Sequence, residues 1–473
     1  MEAEKYIQGL IERSAKAQEV AAKYDQEKIN EITGAIAWAA LNDEFRTKAA
    51  NMMVDESGIG SADDKFNKIH VKTKGLYYQM RDEKSVGIVE EDKERGLVKY
   101  IKPMGVIAAL VPITQGEGIP IFKTLMALKG GNSVIFSPHP RGKETCLFIT
   151  DYLRKVLKEY DAPEDLIITI DPDKVSMEAS NELMKQADFI LATGGTPMVR
   201  VAYGSGTPAI GVGTGNTPTY IDKTADLKET ADKIKRSKIF DNSTSCSSEN
   251  NVIIDSAVYD DMIKEFEAQG AFLIKEGSKE KENLQRAIWP NYPESNALHP
   301  DVPGSSVEAL AEMAGFEVPE GINFFIVEET RGVGADYPFT GEKLSPVSTL
   351  IKVDSFDEAL DKMDGILHYQ GLGHSCGIHT TVEEQIDKMA ARMKVGRMLV
   401  NQPQSLGNSG AWFNGMPVTM TLGCGTWGHN SISNNVRWKD LVNYTTVSRV
   451  IDPVEPSDEE VFPESIRNKQ ISL

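Results

Sequence analysis

The chain has 473 residues, which predicts two to three domains, and its composition of 40% hydrophobic and 26% charged residues can build a packed core. It carries 51 Lys and Arg against 70 Asp and Glu, a formal net charge of −19. That charge argues against a nucleic-acid-binding protein and against one held on anionic lipid, because both need a basic surface.

The first 80 residues are predicted to be helical. Apolar residues recur at helical spacing over 3–24 and 26–40, and acidic helical sequence continues to about residue 80. The chain shows no signal-peptide pattern at its start, no run of 18 apolar residues and no closely spaced cysteines. We therefore expect a reduced, cytoplasmic protein without a membrane-spanning segment.

The middle of the chain has the pattern of an α/β fold. Residues 84–102 are predicted to form a hairpin, and short apolar runs then alternate with helical stretches. The predicted strands are 106–111, 133–136, 166–170 and 189–192, and the predicted helices between them are 117–129, 143–160 and 174–187. This alternation indicates βαβ units and a parallel sheet.

A second α/β region follows residue 216. Its predicted strands are 251–254, 324–327, 349–353 and 398–400, and its predicted helices are 257–268, 356–364 and 381–394. Residues 401–435 are rich in Gly, Asn and Ser and predict a long ordered loop, which is usually functional or in contact with a partner. The organisation is two α/β domains with a hairpin and a C-terminal segment.

Three glycine-rich segments resemble phosphate loops. Gly423–Gly428 matches GxGxxG but lacks the strand, the helix and the later acidic residue of a dinucleotide fingerprint, and 211–215 fails the spacing. Thr193–Thr196 follows a predicted strand and precedes a helix, which suits a phosphate or nicotinamide contact; a plain tight turn is the alternative.

Cys246 is the candidate nucleophile. It lies in DNSTSCSSEN, where small polar neighbours expose a thiol and offer donors to a thiolate; a structural cysteine is the alternative. Cys146 lies on an apolar helical stripe and is predicted to be inert. His374, Cys376 and His379 include only two imidazoles and one thiol, so we expect no metal site.

Four segments together resemble the aldehyde dehydrogenase superfamily, and more narrowly its CoA-acylating branch. They are residues 112–142, FDNSTSCSSEN around Cys246, EKLSPV at 342–347 and LGCGTWGHNSIS at 422–433. The resemblance implies a Rossmann-type cofactor domain over 1–236, a catalytic α/β domain over 237–425 and a C-terminal oligomerisation segment over 426–473. It also implies a homodimer or homotetramer, in which the hairpin at 84–102 pairs with the segment after about 430 of a partner subunit.

The resemblance implies a role for each matching residue. Cys246 matches the nucleophile, Gln115 takes the place of an Asn that donates to the oxyanion, and Glu342 matches the residue that holds the nicotinamide ribose. The implied cofactor site consists of Thr114, Ser137, His139, Pro140, Arg141, Thr193, Gly194, Gly195, Gly213, Glu342 and Leu344. The implied substrate site consists of Thr244, Ser245, Ser247 and His374, where His374 positions the incoming thiol or is simply a structural histidine.

Two departures from the family pattern are informative. Hydrolytic members carry a Glu about 35 residues before the nucleophile, and the matching residue here is Gly211, which cannot act as a general base. The thioester on Cys246 is then expected to wait for a thiol. NAD-preferring members place a carboxylate on the adenosine ribose, whereas this chain has Pro140 followed by Arg141, which favours NADP over NAD.

The hydroxyls of Ser243, Thr244 and Ser245 favour a polar or anionic aldehyde. The resemblance is greatest to members that oxidise sulfoacetaldehyde, with succinic semialdehyde as the close alternative and acetaldehyde as a further one. The expected reaction uses coenzyme A as co-substrate. A non-catalytic binding protein on the same scaffold and a hydrolytic dehydrogenase with its base elsewhere stay open.

Overall fold

Four helices open the fold, as predicted, in a computed structural model that describes residues 2–469. They are α1 (Glu2–Ala21), α2 (Gln26–Ala39), α3 (Asp43–Ser57) and α4 (Ala62–Met80). The side chains of Asp25, Asn42 and Ser61 accept hydrogen bonds from backbone N–H groups in the first turns of α2, α3 and α4. These caps determine where the three helices begin.

The predicted hairpin is confirmed as β1 (Gly87–Asp92) and β2 (Leu97–Pro103), which pair antiparallel. The prediction that the C-terminal segment pairs with the hairpin of a partner was wrong. Residues Val442–Ser448 pair with β2 of the same chain. The side chain of Asn132 donates to the carbonyl oxygen of Leu441 over 2.8 Å and so holds the returning segment beside β2.

The first α/β unit contains a five-stranded parallel sheet with strand order β5-β4-β3-β6-β7. Its strands are β3 (Val106–Val111), β4 (Ser133–Pro138), β5 (Ile167–Thr169), β6 (Phe189–Thr193) and β7 (Ala209–Val212). Its helices are α5 (Ile119–Lys129), α6 (Lys143–Glu159), α7 (Met177–Gln186) and α8 (Thr196–Gly204). Strands β3 and β4 are buried along their whole length, which explains the continuous apolar sequence of β3 and the apolar run at 134–136 in β4.

The second unit contains a seven-stranded parallel sheet with order β10-β11-β12-β9-β8-β13-β14. Its strands are β8 (Thr217–Ile221), β9 (Glu249–Asp255), β10 (Ala271–Ile274), β11 (Phe324–Glu328), β12 (Val347–Val353), β13 (Gly373–His379) and β14 (Val395–Val400). Its helices are α9 (Leu227–Ile239), α10 (Tyr259–Ala268), α11 (Lys279–Ile288), α12 (Val307–Ala314), α13 (Phe356–Tyr369) and α14 (Glu383–Arg392).

The two sheets divide earlier than the predicted boundary at residue 236. Strand β8 pairs with β9 and β13, so the chain passes from the first sheet to the second between Val212 and Thr217. The boundary at 425 stays a prediction.

Residues 401–435 are mostly irregular, as predicted, apart from the short helix α15 (Gln404–Gly407) and a bridge between Leu422 and Asn435. The loop lies against α4, where the Gln79 side chain accepts from the N–H of Val418 over 2.7 Å. The chain continues as β15 (Val442–Ser448), α16 (Asp458–Val461) and α17 (Glu464–Arg467). Within residues 2–469, no helix has the length and apolar character needed to cross a membrane.

The strand order of the first sheet creates a crevice between β3 and β6. The chain runs from β3 outward through β4 and β5 on one side and through β6 and β7 on the other. At such a reversal the loops after neighbouring strands turn apart, and ligands bind beyond the carboxyl ends of the strands. The candidate active site lies there.

Candidate active site

A cavity of about 850 Å³ lies at the carboxyl ends of β3, β4 and β6. It brings together every residue of the predicted cofactor and substrate sites except Arg141, although these come from both sheets. The residues that line it are Thr114, Gln115, Ser137, His139, Pro140, Thr193, Gly194, Gly195, Gly213, Glu342, Leu344, Thr244, Ser245, Cys246, Ser247 and His374.

Arg141 does not line the cavity. Its guanidinium donates to the backbone carbonyl of Ser57 at the end of α3. Beside it, the carboxylate of Glu56 accepts from the backbone N–H groups of Glu144 and Thr145 at the start of α6, each over 2.9 Å. The orientation that the sequence predicted for Arg141, toward a bound cofactor, is therefore not the one observed.

Cys246 follows a strained turn between α9 and β9. Asp241, Asn242 and Ser243 have φ angles of 49°, 48° and 63°, a left-handed region that non-glycine residues adopt at an energetic cost. The carboxylate of Asp241 holds this turn, because it accepts from the Ser61 N–H over 2.9 Å and from the Thr244 hydroxyl over 2.8 Å. The turn positions the nucleophile against the rest of the cavity.

Asp241 belongs to a buried cluster with Lys65, Lys68 and Glu117, which we call the lysine–carboxylate cluster. Lys68 Nζ lies 2.6 Å from Asp241 and 2.7 Å from Glu117, and Lys65 Nζ lies 3.0 Å from Asp241. Although burial alone would have the opposite effect, these contacts raise the pKa of Lys68 and lower that of Asp241. Two ammonium groups and two carboxylates balance, so the cluster adds no net charge.

A chain of polar contacts leads from Cys246 into the second sheet. The Sγ atom of Cys246 lies 3.1 Å from His374 Nε2, and His374 Nδ1 lies 2.8 Å from the hydroxyl of Ser375. That hydroxyl lies 2.8 Å from the hydroxyl of Thr217. If Ser375 donates to Thr217, His374 carries its proton on Nδ1 and presents the lone pair of Nε2 to the thiol.

The local environment favours the uncharged forms of both Cys246 and His374. Burial, followed by the nearby carboxylate of Glu342, raises the pKa of the Cys246 thiol to about 12. Burial, followed by the cation of Arg397, lowers the pKa of His374 to about 3. The Arg397 guanidinium also donates to the His374 carbonyl over 2.6 Å and so fixes the strand that carries the imidazole.

Glu342 is the one carboxylate among the described residues that line the cavity. Its Oε1 accepts from the N–H of Gly215 over 3.1 Å, and burial raises its pKa to about 8. Gly215 also approaches Cys246 so closely that a Cβ atom would lie 1.9 Å from the Cys246 carbonyl oxygen. Glycine is therefore required at 215 to keep the carboxylate and the nucleophile side by side.

The amide of Gln115 is only partly engaged by the protein. Its Oε1 atom is buried, and no described residue donates a hydrogen bond to it. Such a buried polar atom is costly unless a ligand or water satisfies it. The unpartnered atom is an acceptor, whereas the predicted role needs the amide N–H of Gln115 to donate to an oxyanion, so that role stays a prediction.

The residue that replaces the hydrolytic base needs a correction from Gly211 to Val212. A Cβ atom at 211 would lie 2.7 Å from Val199 and 3.0 Å from Tyr203, both on α8, so a side chain there points away from the cavity. Val212, the next residue of β7, lines the cavity. Because side chains alternate along a strand, only 212 can present a group toward Cys246, and that group is apolar.

The sequence interpretation missed one wall of the cavity. Asn67, Lys68, Val71 and Lys72 of α4 line it, opposite Trp412 and Phe413 of the irregular loop. The helical spacing of these α4 residues was the available signal, because positions i, i+1, i+4 and i+5 share one face. Nothing in their residue types distinguished that face from a solvated surface.

Comparisons with known proteins agree with this geometry. The model of the aldehyde dehydrogenase family matches residues 2–286. A sulfoacetaldehyde dehydrogenase from Acholeplasma sp is 41% identical over 98% of this chain and 94% of its own length. An acylating sulfoacetaldehyde dehydrogenase from Bilophila wadsworthia is 40% identical over 97% of this chain and 98% of its own. The crystal structure of an acetylating aldehyde dehydrogenase from Geobacillus thermoglucosidasius matches with a TM-score of 0.91 at 34% identity, and the match covers 96% of this chain and 99% of that one.

Proposed function

Since this chain belongs to the aldehyde dehydrogenase family, we propose that it oxidises sulfoacetaldehyde and transfers the acyl group from Cys246 to coenzyme A. The observation that carries the proposal is the 3.1 Å contact between Cys246 and His374 in a cavity whose single described carboxylate, Glu342, is bonded to Gly215. A nucleophile and a base are present, and Val212 stands where a water-activating carboxylate is needed.

The crevice between β3 and β6 fits a nicotinamide cofactor. It lies at the reversal of the strand order, and the turn at Thr193–Gly195 leads into the start of α8, where backbone N–H groups are free to meet phosphate. When bound, the cofactor supplies a hydride acceptor and a positive charge. In this proposal Glu342 holds the nicotinamide ribose, and a positive charge beside Cys246 favours the thiolate.

In the proposed first half of the reaction, the Cys246 thiolate attacks the aldehyde carbon. The Gln115 amide and the Cys246 N–H donate to the developing oxyanion. The adduct then loses hydride, and the carbonyl re-forms as a thioester on Cys246. The substrate is oxidised by two electrons, and the thiol proton is released.

In the second half, coenzyme A enters, and its thiol proton passes to His374 Nε2 as its sulfur attacks the thioester carbon. The two events occur together because the lowered pKa of His374 makes a separate prior transfer unfavourable. Cys246 leaves as the thiolate, which regains its proton from His374. A neutral imidazole is the required form, and the lowered pKa of His374 keeps it neutral at physiological pH. One thioester replaces another, so we expect the overall reaction to be reversible.

We propose NADP as the preferred cofactor. The segment Ser137–Arg141 contains no carboxylate that would bind a ribose 2′-hydroxyl. Comparing kcat/KM for NADP and NAD tests this preference. A higher value for NAD contradicts it and agrees with the contact of Arg141 with Ser57.

Steady-state kinetics with each aldehyde in turn tests the substrate. We expect sulfoacetaldehyde to give the highest kcat/KM in the presence of coenzyme A, above succinic semialdehyde and acetaldehyde. A higher value for either competitor overturns the substrate assignment. Full turnover without coenzyme A overturns the acyl transfer, and activity retained in C246S overturns the assignment of Cys246 as the nucleophile, with C146S as the control.

We also propose that the chain assembles as a homodimer or homotetramer through the sheet of β1, β2 and β15. Tyr100 and Tyr444 are exposed on that sheet, and Ile88 lies on its outer strand. Light scattering on the eluting protein measures the mass, and a monomer contradicts the proposal.

A further inference from the structure

We infer that Lys72 binds the anionic group of the aldehyde and selects a charged over an uncharged substrate. The inference rests on the proposed function and adds a residue to it. It concerns the wall of α4, on the side of the cavity formed with the irregular loop.

Lys72 lies one helical turn after Lys68, and both line the cavity. Ser409, Gly410, Trp412 and Phe413 of the loop line the same cavity. The cofactor crevice is formed by the ends of β3, β4 and β6 instead, so α4 and the loop belong to the part of the cavity left for the aldehyde and coenzyme A.

Lys68 and Lys72 differ in whether carboxylates neutralise their ammonium groups. Lys68 is neutralised within the lysine–carboxylate cluster by Asp241 and Glu117. Lys72 Nζ instead donates to the Ser409 hydroxyl over 2.6 Å and to the carbonyl oxygens of Gly410 and Ser409 over 2.6 Å and 3.4 Å. These acceptors orient the ammonium but do not neutralise it. Among the described lining residues, Lys72 is thus the cation without a carboxylate partner.

An uncompensated cation in this position is poised for an anion. Burial, followed by the repulsion of Lys68, lowers the pKa of Lys72 to about 7 in the free protein. A bound sulfonate stabilises the ammonium and gains Coulomb energy in a site shielded from water. Acetaldehyde has no charge and gains nothing from it. In a chain with net charge −19, a local cation is also what admits an anionic substrate.

The phosphates of coenzyme A offer the same chemistry, so the experiment separates the two sources. We compare K72M, which removes the charge at similar length, with K72R, which keeps it. S409A removes the hydroxyl that holds the ammonium and leaves the charge. K74M changes an exposed lysine on the same helix. For each variant, kcat/KM is measured for sulfoacetaldehyde and acetaldehyde, together with KM for coenzyme A.

We expect K72M to lower kcat/KM for sulfoacetaldehyde by about 30-fold or more, as for loss of one partner of a shielded charge pair, while the value for acetaldehyde changes less than about 3-fold. K72R and S409A should largely keep the preference for sulfoacetaldehyde, and K74M should match the wild type.

An equal fall for both aldehydes overturns the inference, because it indicates a structural role. A rise confined to the KM for coenzyme A overturns it in favour of phosphate binding. If S409A loses the preference for sulfoacetaldehyde as fully as K72M does, the inference is also overturned, because the placement of the loop and not the charge of Lys72 then determines the preference. If the wild type itself prefers acetaldehyde, the proposed function fails. The effect of K72M on the ratio of kcat/KM for acetaldehyde to kcat/KM for sulfoacetaldehyde still tests the role of Lys72 separately.

Discussion

The Sγ atom of Cys246 and the Nε2 atom of His374 lie 3.1 Å apart, and the pKa values of the two groups are displaced in opposite directions, to about 12 and about 3. Proton transfer from the thiol to the imidazole is therefore strongly unfavourable in the free protein. The two atoms are in contact, but both groups are uncharged. Formation of the thiolate therefore depends on a ligand that brings positive charge. This separation protects the nucleophile between turnovers.

Alkylation of the free protein should reveal this uncharged resting state. We expect the rate of Cys246 modification by iodoacetamide to rise about tenfold per pH unit between pH 7 and pH 10, because only the thiolate reacts and its fraction is small throughout. Peptide mapping should place the label on Cys246, since Cys146, Cys376 and Cys424 are buried. A plateau below pH 9 contradicts the raised pKa.

Loss of the imidazole should slow acyl transfer more than oxidation. We expect H374A to retain a burst of reduced cofactor in rapid mixing while the steady-state rate falls by about 100-fold, the size of one general-base contribution. The variant H368A, which changes an exposed histidine of α13, is the control. Equal rates in H374A and wild type show that His374 has only a structural role.

The lysine–carboxylate cluster should set both stability and the position of Cys246. D241N keeps a side chain that tolerates left-handed φ but leaves two buried ammonium groups facing one carboxylate. We expect a loss of about 3–5 kcal/mol in the free energy of unfolding, as for other broken buried pairs, together with a lower kcat. Urea unfolding measures it.

The control for D241N is D82N, which removes an exposed carboxylate paired with Arg81 and should change stability by less than about 1 kcal/mol. The pKa of Asp241 is held below its usual range, so its contribution is complete above the unfolded value of about 3.9 and is lost as pH falls through the folded value. The difference between wild type and D241N should therefore shrink only below about pH 4. A difference that is already small at pH 7 contradicts the prediction.

Residues whose role depends on their own chemistry could be identified from the sequence. Cys246 and the turn at Thr193–Gly195 could be singled out because a thiol among small polar residues and a strand-to-helix turn have local signatures. Glu342 was singled out by the family resemblance alone, and all of these residues line the same cavity. Strands β8 and β13 were missed because their polar residues resemble a loop. In the fold the hydroxyls of Thr217 and Ser375 are buried, and they hydrogen-bond to each other over 2.8 Å.

Residues whose role depends on where the side chain points in the fold could not be identified from the sequence. Arg141 has the right charge and position in sequence, but its guanidinium turns to a carbonyl of α3. Lys72 carries no motif, and its importance comes from the pairing of Lys68 with carboxylates on two other elements. These pairings join residues that are 49 and 173 positions apart, and the spacing of a single sequence does not encode such contacts.

The alternation along β7 gives a matched pair of substitutions. V212E places a carboxylate toward Cys246, where it can activate water, whereas G211E drives a side chain into Val199 and Tyr203. We expect V212E to release reduced cofactor and free acid without coenzyme A at least about tenfold faster than wild type. This lower bound is set below the usual general-base effect, which is about a hundredfold or more. V212Q, which has the same shape and no base, should not show this gain.

G211E should instead lower stability by about 1–3 kcal/mol through overpacking and gain no hydrolysis. Measuring cofactor reduction without coenzyme A, together with the unfolding midpoint, distinguishes the two positions. Hydrolysis gained by G211E and not by V212E would mean that residue 211, and not residue 212, faces the cavity. Equal rates in V212E and V212Q would mean that a base at 212 does not reach the thioester.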